Sequence, residues 1–123
     1  MMNPEINILK RLCQENYIKI SDKQLELFDK YLSFYLKWNN VYNLSSIRKK
    51  EEIVKKHFFD SLTLVKLFEK TNIELRNKEV ADFGSGAGFP GVPLKIYYED
   101  LINLSLIEAV QKKCIFLEML KKR

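Results

Sequence analysis

The sequence predicts an α/β fold, with a helical N-terminal part over residues 1–78 and the start of a parallel sheet over residues 79–123. Up to residue 78, apolar residues recur at steps of three and four, which is the period of amphipathic helices. After it, the short apolar runs 79–83 and 104–107 are typical of strands. A glycine-rich loop and a predicted helix from Val92 separate the runs, so the order is that of a βαβ unit. We expect the two strands to be adjacent and parallel, with a right-handed crossover between them.

The helical part should contain at least three helices. Apolar spacing over residues 4–15 indicates a first amphipathic helix. Ser21 and Gln24 have the spacing of a capping box, so a second helix should begin there and continue to about residue 41. A third helix should follow with an N-cap at Ser45 or the next serine, and its inward positions recur at steps of three and four from Ile53 to Val65.

An aromatic stripe runs along the second predicted helix. Its members recur at steps of three and four: Phe28, Tyr31, Tyr35, Trp38 and Tyr42. Such a stripe could stack nucleobases, as aromatic side chains do in RNA-binding proteins. Because leucines widen the same face, we expect the stripe to pack in the core instead.

All four glycines of the chain lie in the loop between Asp82 and Gly91. Three of them, Gly84, Gly86 and Gly88, form a G-x-G-x-G pattern directly after the first predicted strand. A dinucleotide fingerprint needs its third glycine one position later, and no Gly-Lys-Ser/Thr follows as a phosphate-binding P-loop would require. A tight turn without a ligand is the simpler interpretation, but the flanking strand and helix favour a binding loop.

Glu108 follows the second predicted strand, about 20 residues beyond the loop. In doubly wound sheets an acidic residue at this place accepts hydrogen bonds from ribose hydroxyls. The loop and Glu108 together therefore predict a nucleoside-type cofactor site in a Rossmann-like sheet.

The loop sequence G-S-G-A-G-F-P-G resembles the cofactor loop of the glucose-inhibited division protein B family, the small-subunit ribosomal RNA guanine-N7 methyltransferases. Trp38-Asn39, Asn43-Leu44-Ser45 and His57-Phe58-Phe59-Asp60-Ser61-Leu62 resemble further motifs of this family, in the same order. The resemblance extends from about residue 20 to the end of the chain. Ser45 stands where the family has threonine, and Ala109 where serine is common.

This resemblance implies an S-adenosylmethionine-dependent methyltransferase acting on N7 of a guanine in small-subunit ribosomal RNA. It implies cofactor contacts from these residues of the loop and the strand ends: Asp82, Gly84, Gly86, Gly88, Phe89 and Glu108. No catalytic residue is assigned, because guanine N7 is already a nucleophile and methyl transfer to it needs alignment rather than a base.

The net charge of +5 arises entirely before residue 79, which suggests a polyanionic partner for the helical part. The predicted RNA contacts are clustered cations: Arg48, Lys49, Lys50, Lys55 and Lys56. A solvated helix face with charges paired at helical spacing is the alternative.

His57 is the only histidine of the chain, so it cannot form a metal site without other ligands, and we predict no metal. With Asp60 and Ser61 it shares a helical face, but no second segment orients a base as a hydrolase would require. The first expectation is a partly buried, hydrogen-bonded histidine near the sheet. The resemblance implies a place on the substrate side of the cofactor cleft.

Composition excludes several classes of protein. The chain is 46% hydrophobic and 30% charged, which is not the composition of a disordered protein. No run approaches the ~18 apolar residues of a membrane span, and the N-terminus lacks a signal-peptide pattern. Cys13 and Cys114 lie in separate predicted helices, so we expect free buried thiols and a cytoplasmic protein.

The predicted sheet is incomplete, because a doubly wound fold needs two βαβαβ halves and the sequence predicts only two strands. We therefore expect an N-terminal portion of a longer enzyme, weak in catalysis alone, with an open sheet edge through which it could self-associate. Two other functions remain open. A dinucleotide-dependent oxidoreductase would share the loop and the acidic residue, and a non-enzymatic RNA-binding or interaction module would bind RNA without a cofactor.

Overall fold

The computed structural model describes residues 2–42, 44, 49–84 and 86–121. The helical part consists of α1 (Ile6–Glu15), α2 (Asp22–Tyr42), α3 (Lys50–Ile53), a π-helical turn (Val54–Phe59) and α4 (Asp60–Lys70). The second part consists of β1 (Lys78–Phe83), α5 (Gly91–Tyr98), a 3₁₀ turn (Glu99–Leu101), β2 (Ile102–Ile107) and α6 (Gln111–Lys121).

The predicted α/β fold is confirmed. β1 and β2 pair in parallel, with Lys78 opposite Ile102 and Phe83 opposite Ile107. Helix α5 connects them and packs against β2. β2 begins at Ile102, earlier than the predicted start at residue 104, and this first residue is buried. The right-handed crossover stays a prediction.

The capping box at the start of α2 is confirmed. The Gln24 N–H donates to Ser21 Oγ at 3.1 Å, and the Ser21 N–H donates to Gln24 Oε1 at 2.7 Å. Gln24 Nε2 also donates to the Tyr97 carbonyl at 2.9 Å, which ties the start of α2 to the end of α5. Helix α1 begins at Ile6 rather than Pro4. The predicted N-cap at Ser45 or the next serine lies outside the described residues.

The predicted third helix is confirmed, because α3, the π-helical turn and α4 follow one another without a gap. The sequence did not predict that the middle of this helix is a π-helical turn. Val54 and Phe58 are both fully buried in this turn. Residues four apart stay on one side of either helix type, so the apolar spacing did not reveal the wider turn.

Among the described residues, a buried cluster extends from the helical part into the second part. Phe28, Tyr31 and Tyr35 of α2 are buried, which confirms core packing for these members of the aromatic stripe. On α6, Phe116 is fully buried and its ring centroid lies 6.4 Å from that of Tyr35. The division into parts at residue 78 coincides with the start of β1, but separate domains over 1–78 and 79–123 stay a prediction.

The described residues cover one face of the sheet and leave the other face exposed. Along β1, exposed and half-buried residues alternate, and the Phe83 side chain is 77% exposed. The prediction that this strand is buried is therefore wrong for the face that carries Phe83. Within the described chain β1 has β2 as its one strand neighbour, so its other edge is unpaired there.

Neither cysteine forms a disulfide. Cys13 is buried in α1, and burial raises the pKa of its thiol to about 11, whereas Cys114 in α6 is half-buried rather than buried as predicted. None of the described helices is long and apolar enough to cross a membrane.

Candidate functional site

The glycine loop leaves the sheet at the carboxyl ends of the two strands. The Gly84 N–H donates to the Ile107 carbonyl at 2.7 Å, which carries the strand pairing into the loop. Gly84 and Gly86 have φ values of +69° and +58°, a region that disfavours side chains. A Cβ built on either residue would meet no atom within 4 Å, so both backbones face open space that a ligand could occupy.

Glu108 holds this open part of the loop. Its Oε1 accepts from the Gly86 N–H at 2.7 Å, and its Oε2 accepts from the Val110 N–H at 2.9 Å. These bonds, the Val110 bond first, hold the pKa of Glu108 below its usual value, so the group is ionised at neutral pH. A carboxylate offers more acceptor positions than these two bonds use, so it can still accept from a ribose hydroxyl.

Asp82 fixes the start of α5. Its Oδ2 accepts from the Gly91 N–H at 3.0 Å. Burial raises the pKa of Asp82, the Gly91 bond opposes that shift, and the Glu108 charge adds to it. A Cβ on Gly91 would lie 2.8 Å from Leu106 Cδ2 and 2.9 Å from Asp82 Oδ2, so the glycine lets the helix approach the sheet closely. The sequence did not assign this role to Gly91.

Gly88 and Ala87 are held by Tyr31 of helix α2. Gly88 is buried with a φ of +100°, and a Cβ there would lie 2.7 Å from both Tyr31 Oη and Val92 Cγ2. The Tyr31 hydroxyl donates to the Ala87 carbonyl, and burial raises the pKa of Tyr31 well above its usual value. Packing alone thus explains the glycine, and direct contact of Gly88 with a cofactor stays a prediction.

Tyr31 is a further residue of this site whose role sequence reasoning missed. Its place in the aromatic stripe predicted burial, but not a bond to the loop. A usable signal was present, because a buried tyrosine hydroxyl normally needs a hydrogen-bond partner outside its own helix face.

Phe89 connects the loop to the helical part through its ring. The His57 ring stacks on it with centroids 4.3 Å apart and planes 6° apart. Tyr31 and Phe58 contact the same ring, with centroids at 5.5 Å and 5.9 Å. The predicted site residue Phe89 is therefore half-buried at the junction of the two parts.

His57 is half-buried, as expected from the sequence, and burial lowers its pKa while Asp60 opposes that shift. The expected hydrogen bond is wrong for Nε2, which is buried and has no partner in the described part of the chain. The ring contact with Phe89 replaces it as the main interaction.

Lys50 lies on α3, Lys49 directly precedes it, and Lys55 and Lys56 lie in the π-helical turn. Arg48, the fifth predicted RNA-contacting cation, is outside the described residues. Lys55 Nζ lies 2.7 Å from Glu51 Oε1, and this pair lowers the pKa of Glu51. Lys50 Nζ donates to Asn3 Oδ1 at 2.8 Å. The alternative of a helix face with paired charges is thus correct for Lys55. Lys49 and Lys56 are exposed.

Replacing Tyr31 with phenylalanine should lower the free energy of unfolding by about 1 to 3 kcal/mol, because the Ala87 carbonyl loses its donor in a buried place. Urea denaturation measures this change. Tyr17→Phe is the matched control, since Tyr17 is exposed and should tolerate the same atom loss. Equal stability of Tyr31→Phe and the parent would show that this bond does not hold the loop.

The parallel βαβ unit places the chain in the class of Rossmann-like α/β proteins. A family model described as rRNA small subunit methyltransferase G matches residues 24–123. The chain belongs to this family, the glucose-inhibited division protein B family.

Curated relatives carry the same description. A ribosomal RNA small subunit methyltransferase G from Aquifex aeolicus is 52% identical over 114 residues, which is 93% of this chain and 58% of the relative. Proteins of that name from Clostridium botulinum and Desulforamulus reducens are 39% and 38% identical, covering 92% and 98% of this chain and 45% and 49% of the relatives. The chain thus spans about half the length of the curated relatives it matches.

Proposed function

We propose that the chain takes part in S-adenosylmethionine-dependent methylation of N7 of a guanine in small-subunit ribosomal RNA. The observation that carries the proposal is the open backbone of Gly84 and Gly86 beside the ionised Glu108. The names of the relatives, ribosomal RNA small subunit methyltransferases, support the reaction class and the substrate.

The described residues fit such a cofactor. Glu108 would accept from a ribose hydroxyl with the lone pairs that Gly86 and Val110 leave unused. The Gly84 and Gly86 backbones would lie against the ribose and methionine parts, where a Cβ would otherwise enter the space. Asp82 would face the amino group, directly or through water. Gly88 and Phe89 would complete the contact from the packed side of the loop.

The chemistry requires alignment more than proton transfer. The bound cofactor supplies a methyl group on a positively charged sulfur, and guanine N7 has a lone pair that no base has to free. The task of this chain's residues is therefore to fix the cofactor and the base in line. His57 would line the substrate side next to Phe89, with no proton transfer assigned to it.

RNA phosphates are proposed to contact the basic segment 48–56, of which residues 49–56 are described and include α3 and the start of the π-helical turn. Its basic members are Arg48, Lys49, Lys50, Lys55 and Lys56. Each phosphate contact that is lost should reduce the slope of log affinity against log salt by roughly 0.7 to 0.9. Because Lys55 and Lys50 already have protein partners, we expect larger changes from alanine at Lys49 and Lys56. Filter binding to a small-subunit rRNA transcript at several salt concentrations measures the slopes.

The matched control is alanine at Lys10 and Lys70, which are exposed on α1 and α4. An unchanged slope in the variant with alanine at all five basic positions would place the RNA elsewhere.

Location, self-association and the rate of catalysis are also proposals. A ribosomal RNA substrate and free thiols suit the cytoplasm of a cell. The edge of β1 that has no strand neighbour among the described residues, together with the exposed Phe83, would allow two copies to associate. We propose that a rate like that of the relatives also requires the part of their length outside the matched region.

Transfer of a labelled methyl group to small-subunit rRNA, followed by nucleoside analysis, tests the proposed function. The Aquifex aeolicus relative should give 7-methylguanosine, and the 123-residue chain should give the same product far more slowly. A methylated nucleoside other than 7-methylguanosine would contradict the proposed target atom. Equal rates would contradict the proposed need for the rest of the relatives' length.

A further inference from the structure

His57 lies between the cofactor loop, which the proposed function assigns to S-adenosylmethionine, and the lysines of the π-helical turn, which it assigns to RNA. Lys55 and Lys56 precede it in the π-helical turn and are exposed, toward the solvent from which RNA would approach. Its own ring is stacked face to face on Phe89 of the cofactor loop, with centroids 4.3 Å apart. The next residue, Phe58, is fully buried and contacts the same ring. The turn therefore meets the loop through two consecutive rings.

The loop is also held from helix α2 at the residues beside Phe89. Tyr31 stacks on Phe58 with centroids at 5.1 Å and donates its hydroxyl to the Ala87 carbonyl. Because these rings are packed together, a shift of the turn displaces Phe89, and a shift of Phe89 displaces the turn. A π-helical turn is a less stable arrangement than an α-helical one, and such turns occur often at functional sites.

The Nε2 atom of His57 gives a reason to expect a second arrangement of the π-helical turn. It is buried and has no hydrogen-bond partner in the described residues. A buried polar atom without a partner is costly and uncommon. Phenylalanine would satisfy the stack on Phe89 without that cost, so the nitrogen is not explained by packing. A second arrangement of the turn, in which Nε2 gains a hydrogen-bond partner, would become populated when a ligand binds it more tightly than the described arrangement.

We infer that His57 is a positioning residue that couples the cofactor loop to the RNA-facing turn, so that cofactor and RNA bind cooperatively. This inference rests on the proposed function, which assigns the two ligands. The coupling acts through the Nε2 atom, which gains a hydrogen bond in the arrangement that carries both ligands. By thermodynamic linkage, a cofactor that raises the affinity for RNA is itself bound more tightly, by the same factor, when RNA is present.

The test measures the affinity for a small-subunit rRNA transcript with and without saturating S-adenosylhomocysteine, and the affinity for S-adenosylhomocysteine with and without the transcript. In the parent chain each ligand should raise the affinity for the other by about 5-fold or more. His57→Phe should keep the stack and unfold at the same or a higher urea concentration, yet lose the coupling. Tyr98→Phe, which removes one polar atom from a half-buried ring at the other end of α5, should keep it.

The outcomes separate this inference from the proposed function. Binding of both ligands without coupling in the parent would overturn the coupling alone, and so would full coupling in His57→Phe, since packing would then suffice. Equal loss in Tyr98→Phe would also overturn it. Failure of the parent to bind either ligand would overturn the proposed function, and the coupling with it.

Discussion

Replacing Gly88 with alanine should lower the free energy of unfolding by about 2 to 4 kcal/mol, the largest loss we expect from any single glycine of the loop. Two costs add at this position. The φ of +100° disfavours a side chain, and the new Cβ would lie 2.7 Å from both Tyr31 Oη and Val92 Cγ2. Tyr31 cannot retreat easily, because it is buried and bonded to the Ala87 carbonyl. Urea denaturation measures the loss.

Gly86→Ala is the matched control for this prediction. Gly86 has a positive φ of +58° as well, but a Cβ there meets no atom within 4 Å. Its cost should therefore be the conformational one alone, about 1 kcal/mol. Equal losses of stability in Gly86→Ala and Gly88→Ala would show that the close contact between the loop and α2 adds no cost to a side chain at Gly88.

Replacing Glu108 with alanine should weaken the binding of S-adenosylhomocysteine by about 10- to 150-fold, which corresponds to the 1.5 to 3 kcal/mol of a charge-assisted hydrogen bond. The variant loses the proposed bond to a ribose hydroxyl. It also leaves the Gly86 and Val110 N–H groups without their acceptor, so the loop is less well positioned for a ligand. Isothermal titration calorimetry measures the change.

Glu118→Ala provides the control for Glu108, because it removes an exposed carboxylate from α6. Glu108→Gln should fall between the parent and Glu108→Ala, since its amide keeps one acceptor oxygen. Circular dichroism has to show first that each variant is folded. Parent-like affinity in a folded Glu108→Ala would mean that another residue holds the ribose.

Two patterns in the sequence predicted features that the structure contains. The capping box of Ser21 and Gln24 formed as predicted, because its two bonds span only three residues. The parallel pairing of β1 and β2 followed from the βαβ order. The sequence also predicted that Glu108 and the loop belong to one site, because Glu108 ends the second strand, but it did not predict the bond between the Gly86 N–H and Glu108.

The features that the sequence did not predict depend on contacts between distant segments. The roles of Gly88 and Gly91 follow from side chains on α2, β1 and β2 that no spacing rule identifies. The bond from Tyr31 to Ala87 joins residues that are far apart in the chain. The exposure of Phe83 depends on which elements cover the sheet, and the sequence of the strand itself does not contain those elements.

The most direct test of the proposed cofactor site is the binding of S-adenosylhomocysteine and of NAD to the parent chain, measured by calorimetry under the same conditions. The open Gly84 and Gly86 backbones and the ionised Glu108 suit the ribose of either ligand, but the third glycine falls one position too early for a dinucleotide. We expect S-adenosylhomocysteine to bind, if weakly, and more tightly than NAD. Tighter binding of NAD would indicate a dinucleotide-dependent oxidoreductase, and binding of RNA with neither cofactor would indicate a non-enzymatic RNA-binding module; either result would contradict the methyltransferase site.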